Sequence, residues 1–213
     1  MSVSQKKQQL REKIWSEMEL RGIATFPKPC RGRIPNFLGS STAAEKLRQT
    51  DEWKKAKVIF ANPDSPQQKV RENALLDGKT LIMASPRLAR GFILINPTKV
   101  KGKERFASTI KGAFKFGVET RSFPKPDLIV EGSVAVDVYG HRLGKGHGYG
   151  DTEIAIIKRM FGEIPIATTV HDMQVVEAVP FEEKDEKVSL IVTPTRVIRV
   201  VVQSGSAQKT YRG

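Results

Sequence analysis

Apolar and polar residues along this chain alternate between two repeats, one near 3.6 residues and one near two. Over residues 4–21, Leu10, Ile14, Trp15, Met18 and Leu20 fall near one helical face among Lys and Glu, which predicts an amphipathic helix closed by Gly22. A second helix is expected from a cap at Ser41 to about Thr50. Lys57-Val-Ile-Phe-Ala61 reads as a buried strand. Ser65 as N-cap and Pro66 as first helical residue then open a helix to about Asp77. Thr80–Ala84 and Gly91–Ile95 read as strands, and residues 97–125 hold one helix at about 104–114 in a stretch otherwise without a clear pattern. Strands are expected at 127–131 and 133–138, a helix from Asp151 to about Gly162, and further strands at 164–170, 188–192 and 196–202.

Strands interleaved with helices predict an α/β fold, three-layered and Rossmann-like, with a mostly parallel central sheet flanked by helices. One domain over 1–202 is expected, followed by a polar, frayed tail at 203–213.

Between the strand at 133–138 and the helix after it lies Arg142-Leu-Gly-Lys-Gly-His-Gly-Tyr-Gly-Asp151. Strand, glycine loop, helix is the setting in which backbone N–H groups and a helix N-terminus converge on an anion. Glycine lets the backbone approach a phosphate closely, and Arg142 and Lys145 supply countercharge. In parallel sheets such a loop lies outside the carboxyl ends of the strands, where ligands bind. The spacing matches neither the P-loop nor the dinucleotide fingerprint. A phosphate-bearing ligand is expected, with Asp151 serving either it or the helix as N-cap.

The chain has 213 residues and net charge +13. The excess is one-sided: residues 1–125 carry 26 Lys+Arg against 11 Asp+Glu, whereas 126–213 carry 10 against 12. Such a field draws polyanions, whether nucleic acid, a nucleotide or a polycarboxylate. No stretch is apolar enough to span a bilayer, and the N-terminus is not signal-like. The single cysteine, Cys30, excludes an internal disulfide and fits a cytoplasmic location. It is expected to be inert, although the neighbouring Arg31 favours a lowered thiol pKa. His141 and His171 lack metal-ligand spacing and read as structural.

Three segments in order carry a resemblance. They are Lys7-Gln-Gln-Leu-Arg11, then the run from Asp127 through Glu131 and Asp137 to Asp151, then Val179-Pro-Phe-Glu-Glu-Lys-Asp-Glu-Lys-Val188. Together they resemble the 5-formyltetrahydrofolate cyclo-ligase family, also called 5,10-methenyltetrahydrofolate synthetase. Thr193-Pro-Thr-Arg-Val-Ile198 and Gly-Asp-Thr-Glu153 are closer to its divergent synthetase-domain-containing branch.

The resemblance implies an ATP-dependent ring closure with Mg²⁺ as metal. By it, Lys7 and Arg11, one helical turn apart, contact ATP, as do Arg142, Leu143, Gly144, Lys145, Gly146, His147, Gly148, Tyr149 and Gly150. Arg142 and Lys145 sit on phosphate oxygens and are the expected catalytic residues. Asp151 and Asp185 match the metal-binding acids. Asn62, Gln67, Lys145, Gly146, His147, Gly148 and Tyr149 face a folate or pterin substrate. Arg31, Arg33, Arg87 and Arg90 are further anion candidates, and Lys99, Lys101, Lys103 and Arg105 suit a polyglutamate tail or nucleic acid.

Three departures stand out. Gln67 occupies the place of a glutamate that holds the folate, and an amide offers one acceptor where a carboxylate offers two. Gly150 replaces a second loop tyrosine, and the aromatic segment that covers the pterin is not recognisable in 97–125. The alternative is therefore a catalytically altered homologue that keeps the nucleotide site and uses its basic N-terminal part to bind RNA or another protein.

Overall fold

A computed structural model describes residues 1–200; the expected tail at 203–213 lies outside them. The strands are β1 (Val58–Ala61), β2 (Thr80–Ala84), β3 (Phe92–Ile95), β4 (Val118–Thr120), β5 (Leu128–Glu131), β6 (Ala135–Asp137), β7 (Arg142–Leu143), β8 (Ile166–Thr169), β9 (Val175–Val176), β10 (Leu190–Val192) and β11 (Val197–Arg199). The α-helices are α1 (Val3–Leu20), α2 (Ser40–Arg48), α3 (Asp51–Lys55), α4 (Gln68–Leu76), α5 (Glu104–Ala107), α6 (Ile110–Phe116) and α7 (Tyr149–Phe161).

Eight strands form the main sheet in the order β11-β10-β8-β5-β1-β2-β3-β4. The five central ones are parallel, and β3, β4 and β11 join antiparallel at the edges. Both faces of the sheet's centre are covered, so its central strands are mostly apolar, while the edge strands β4 and β11 are partly exposed. Ile59, Leu81, Met83 and Val130 pack with α2, α3 and α4 on one side, while Phe60, Ile82 and Ile129 meet Ile154 and Ile157 of α7 on the other. This is the mostly parallel, helix-flanked α/β fold expected from the pattern.

The strand expected at 133–138 forms as β6, not in the main sheet but in a second, three-stranded one, β7-β6-β9. This small sheet builds its own core with Ile14, Trp15 and Met18 of α1 and with Ile34, Phe37 and Leu143. That core fixes α1 beside the segment after Leu143, and so decides what the glycine loop faces.

Several boundaries also move. Gly39, not Ser41, caps α2, which ends at Arg48; Thr50 then accepts the Trp53 N–H and caps the unforeseen α3. Asp64, not Ser65, precedes a 3₁₀ turn (Ser65–Gln67) that leads into α4. The helix expected at 104–114 is broken because Ser108 and Thr109 hydroxyls bond back to the Arg105 and Phe106 carbonyls, and Thr109 then caps α6. The short strands β4 and β9 carry too few residues to show a period.

The helix after the glycine run starts at Tyr149 with Gly148 as N-cap, so Asp151 is its third residue and not its cap. Arg142 and Leu143 belong to β7, leaving 144–148 as the loop. Cys30 is fully buried, and burial pushes its thiol up to about 12, with Glu19 adding to the effect. The inert reading fits this, and the activating influence of Arg31 does not.

Candidate functional site

A cavity of about 610 Å³ opens at the carboxyl ends of β1 and β5. Lys7 and Arg11 enter it from α1, Asn62 and Asp64 from the turn after β1, and Glu131 and Gly132 from the end of β5. Arg142 comes from β7, residues 144–148 from the glycine loop, and Asp151 and Glu153 from the first turns of α7. Glu182, Lys184 and Asp185 close the side nearest Lys7.

Arg11 Nε donates to the Gly144 carbonyl oxygen at 2.7 Å. Its guanidinium lies across Gly146, where an added Cβ would stand 3.4 Å from Arg11 Cζ and where φ is +101°. A side chain there meets both backbone strain and the arginine. Lys7 Nζ pairs with Asp185 Oδ2 at 2.5 Å and Glu182 Oε2 at 3.1 Å. Burial works to lower the Lys7 ammonium, but the bonds to Asp185 and Glu182 outweigh it and leave the pKa raised. Burial works to raise Asp185, and its bonds from Lys7 and the Glu182 N–H leave it lowered. Burial lowers Arg11, against the pull of Asp151 and Asp185. Lys145 Nζ meets Asp64 Oδ1 at 2.8 Å.

Beneath this rim lies a buried polar cluster. The Arg142 side chain is 3% exposed; Nη2 donates to Asp151 Oδ1 at 2.6 Å and Nη1 to the Gly132 carbonyl at 3.1 Å. Asn62 Nδ2 donates to Glu131 Oε2 at 3.0 Å and Asp64 Oδ2 at 3.1 Å. Burial pushes the Glu131 carboxyl up to about 8, against the opposing charge of Arg142. Glu153 is also held well above its ordinary value, by burial first and then by Glu131 and Asp64. Burial disfavours charge on Arg142, but Asp151 and Glu131 outweigh it and raise its pKa.

The structure therefore gathers Lys7, Arg11, Asn62, Arg142, Gly144, Lys145, Gly146, His147, Gly148, Tyr149, Gly150, Asp151 and Asp185 around one cavity, with Arg33 and Arg87 beside them. It separates others. Leu143 packs into the α1 core. Gln67 is fully buried, its Nε2 donating to Thr169 Oγ1 at 3.0 Å, and it does not line the cavity. Arg31 pairs with Glu12 and Arg90 with Glu119. Lys99, Lys101, Lys103 and Arg105 are exposed and line no part of the cavity.

Asp64, Glu131 and Glu153 are the site residues that sequence reasoning missed. Their signal was present. Glu131 ends an apolar strand enclosed on both faces, and Glu153 occupies a core-facing slot four residues before Ile157 on α7. An acid in such a slot needs a partner or a proton.

Among the described residues no helix is long and apolar enough to cross a membrane, and no group of three or more His, Cys, Asp or Glu is placed to hold a metal ion.

The model of the 5-formyltetrahydrofolate cyclo-ligase family matches residues 3–194. The methenyltetrahydrofolate synthase domain-containing protein of Bos taurus is 42% identical over 204 residues, covering 90% of this chain and 53% of that protein. Its Homo sapiens counterpart is 40% identical over 210 residues, covering 92% and 54%. The chain thus spans about half the length of these relatives. The 5-formyltetrahydrofolate cyclo-ligase of Escherichia coli (strain K12) is 37% identical over 71 residues, 33% of this chain and 38% of that protein. Among solved structures, the 5,10-methenyltetrahydrofolate synthetase of Aquifex aeolicus superposes with a TM-score of 0.61 at 21% identity, covering 97% of this chain and 99% of that one. That last likeness is one of fold.

Proposed function

This chain belongs to the 5-formyltetrahydrofolate cyclo-ligase family, and from that premise we propose that its cavity closes the ring of 5-formyltetrahydrofolate, or a related pterin, at the expense of ATP. In this reaction the γ-phosphoryl group passes to the formyl oxygen, N10 attacks the activated carbon, and phosphate leaves. The products are 5,10-methenyltetrahydrofolate, ADP and phosphate. One observation carries the reading. Arg11 lies across Gly146 and bonds Gly144, so α1 and the glycine loop form a single cationic wall.

Lys145, Arg33 and Arg87 extend that wall. The N-terminus of α7 has no side-chain cap, so its free N–H groups suit a phosphate. Catalysis of this kind is mostly positioning and charge compensation. Arg142, its side chain 3% exposed, acts from below by holding Asp151.

The acids fit a magnesium ion. Arg142 occupies one oxygen of Asp151, and Lys7 one oxygen of Asp185. The second oxygen of each is left for a hard cation, which commonly takes one or two protein carboxylates and completes its shell with phosphate and water. Bound there, Mg²⁺ supplies positive charge against the phosphates.

The test is the absorbance of methenyltetrahydrofolate formed from 5-formyltetrahydrofolate, with and without ATP. ATP-dependent turnover is expected. Nucleotide binding without turnover would instead favour the altered homologue that binds RNA. Arg11→Ala and Lys145→Ala are each expected to weaken ATP binding about 10- to 100-fold, the loss of one charge-assisted hydrogen bond. Unchanged nucleotide affinity by titration calorimetry would remove that residue from the site.

A further inference from the structure

The cavity has two chemically opposite parts. Its rim is cationic, while its most enclosed lining holds the acceptors Asn62, Glu131 and Glu153, exposed by 4%, 0% and 4%, beside Arg142 and Ile34. Asn62 Oδ1, Glu131 Oε1 and Glu153 Oε2 are buried acceptors without a hydrogen-bond partner. Arg142 Nε is an unpartnered donor lining the same cavity. Native interiors rarely leave buried polar atoms unpaired, and three acceptors together ask for donors from outside the chain.

The backbone also keeps this floor free of side chains. A Cβ at Gly150 would stand 2.9 Å from Arg142 Nη2 and 3.0 Å from Glu131 Oε2. At Gly132 it would stand 2.8 Å from Gln67 Oε1 and 2.7 Å from Ile34 Cγ2. The loop tyrosine that the resemblance leads one to seek at 150 thus has no room above the Glu131 carboxylate.

We propose that Glu153 and Asn62, backed by Glu131, accept hydrogen bonds from the N–H edge of the substrate's heterocycle, a planar ring bearing adjacent ring N–H and NH₂ donors. The 2-amino-4-oxopyrimidine half of a pterin has that edge. The inference rests on the folate reading above and names the residues that select the ring. Gln67 Nε2 is tied to Thr169 and its unpartnered Oε1 lies behind Gly132, so the amide does not line the cavity, and Glu153 takes over the acceptor role. The ring's N–H donors favour the ionised form of Glu153 against its burial, and the carboxylate then meets two parallel N–H groups with two acceptors, whereas an amide turns a donor toward one of them. Anion binding at the rim and ring recognition at the floor are therefore separable.

The experiment measures binding of 5-formyltetrahydrofolate, of its 2-desamino-2-methyl analogue and of ATP to the intact chain by calorimetry. The wild-type chain is expected to prefer the amino compound by about 30-fold or more, since a site built around donors rejects a ligand lacking them. Glu153→Gln is expected to lose most of that preference while ATP affinity stays within about twofold. Asn62→Ala serves as a second variant and is expected to lose part of the preference; thermal melts and ATP binding verify folding of both. If wild-type chain and Glu153→Gln discriminate equally, the inference is overturned and the folate reading stands. If the wild-type chain binds ATP and neither pterin, both fall.

Discussion

Arg142→Met is expected to destabilise the chain by about 1–3 kcal/mol, the usual cost of leaving a buried polar group without its hydrogen-bond partner. Arg142 holds Asp151 and the Gly132 carbonyl through its two terminal nitrogens, and Glu131 and Glu153 lie within its field. Methionine keeps much of the volume but leaves the Asp151 carboxylate and the Gly132 carbonyl without that donor. For a chain of this length each ~1 kcal/mol moves Tm by about 2–4 °C, so a fall of roughly 2–12 °C is expected in a thermal melt. Arg142→Lys should recover part of it, because an ammonium on a flexible stem cannot reproduce the fork of two bonds. An unchanged Tm with lost ATP binding would reverse the assignment and return Arg142 to the phosphates, where the sequence reading put it.

Glu131→Gln is expected to do the opposite, and in a pH-dependent way. Burial raises the Glu131 carboxyl from 4.5 to about 8. Between those values the folded chain holds a proton that the unfolded chain has released, so rising pH draws the equilibrium toward the unfolded state. This contribution is fully present below about pH 4.5 and lost as pH climbs toward 8. Each unit is worth about 1.4 kcal/mol, so several kcal/mol are at stake. Glutamine is neutral at every pH and still accepts from Asn62 Nδ2, so the variant gains on wild type as pH increases. Urea midpoints at pH 5 and pH 8 check this: near-equal stability at the first and a clearly more stable variant at the second. Parallel curves across the range would show that Glu131 carries no burial penalty.

Much of the site was legible because it is local. The glycine run needs no partner to announce itself: four glycines alternating with Arg142, Lys145, His147 and Tyr149 leave a backbone stripped for close approach. The helix period put Lys7 and Arg11 on one face, and both do reach the cavity. The burial of Arg142 was not legible in the same way: a basic residue beside a glycine loop reads as a phosphate ligand, and only the folded chain shows it beneath the rim, bonded to Asp151 and Gly132. Gln67 was placed by correspondence with a motif, which cannot reveal that its amide turns toward Thr169.

The amino-acid order by itself determined the α/β character, the apolar strands of the central sheet and the loop chemistry, since periodicity and glycine spacing are properties of neighbours along the chain. Tertiary structure alone decided that 135–137 leaves the main sheet to join a small one, and that α1 docks there and lays Arg11 on the loop. It also decided that Asp64, Glu131 and Glu153, separated by 67 and 22 positions, share one pocket. Those outcomes depend on burial and electrostatic pairing between distant segments, and such energies exist only once the chain has closed on itself.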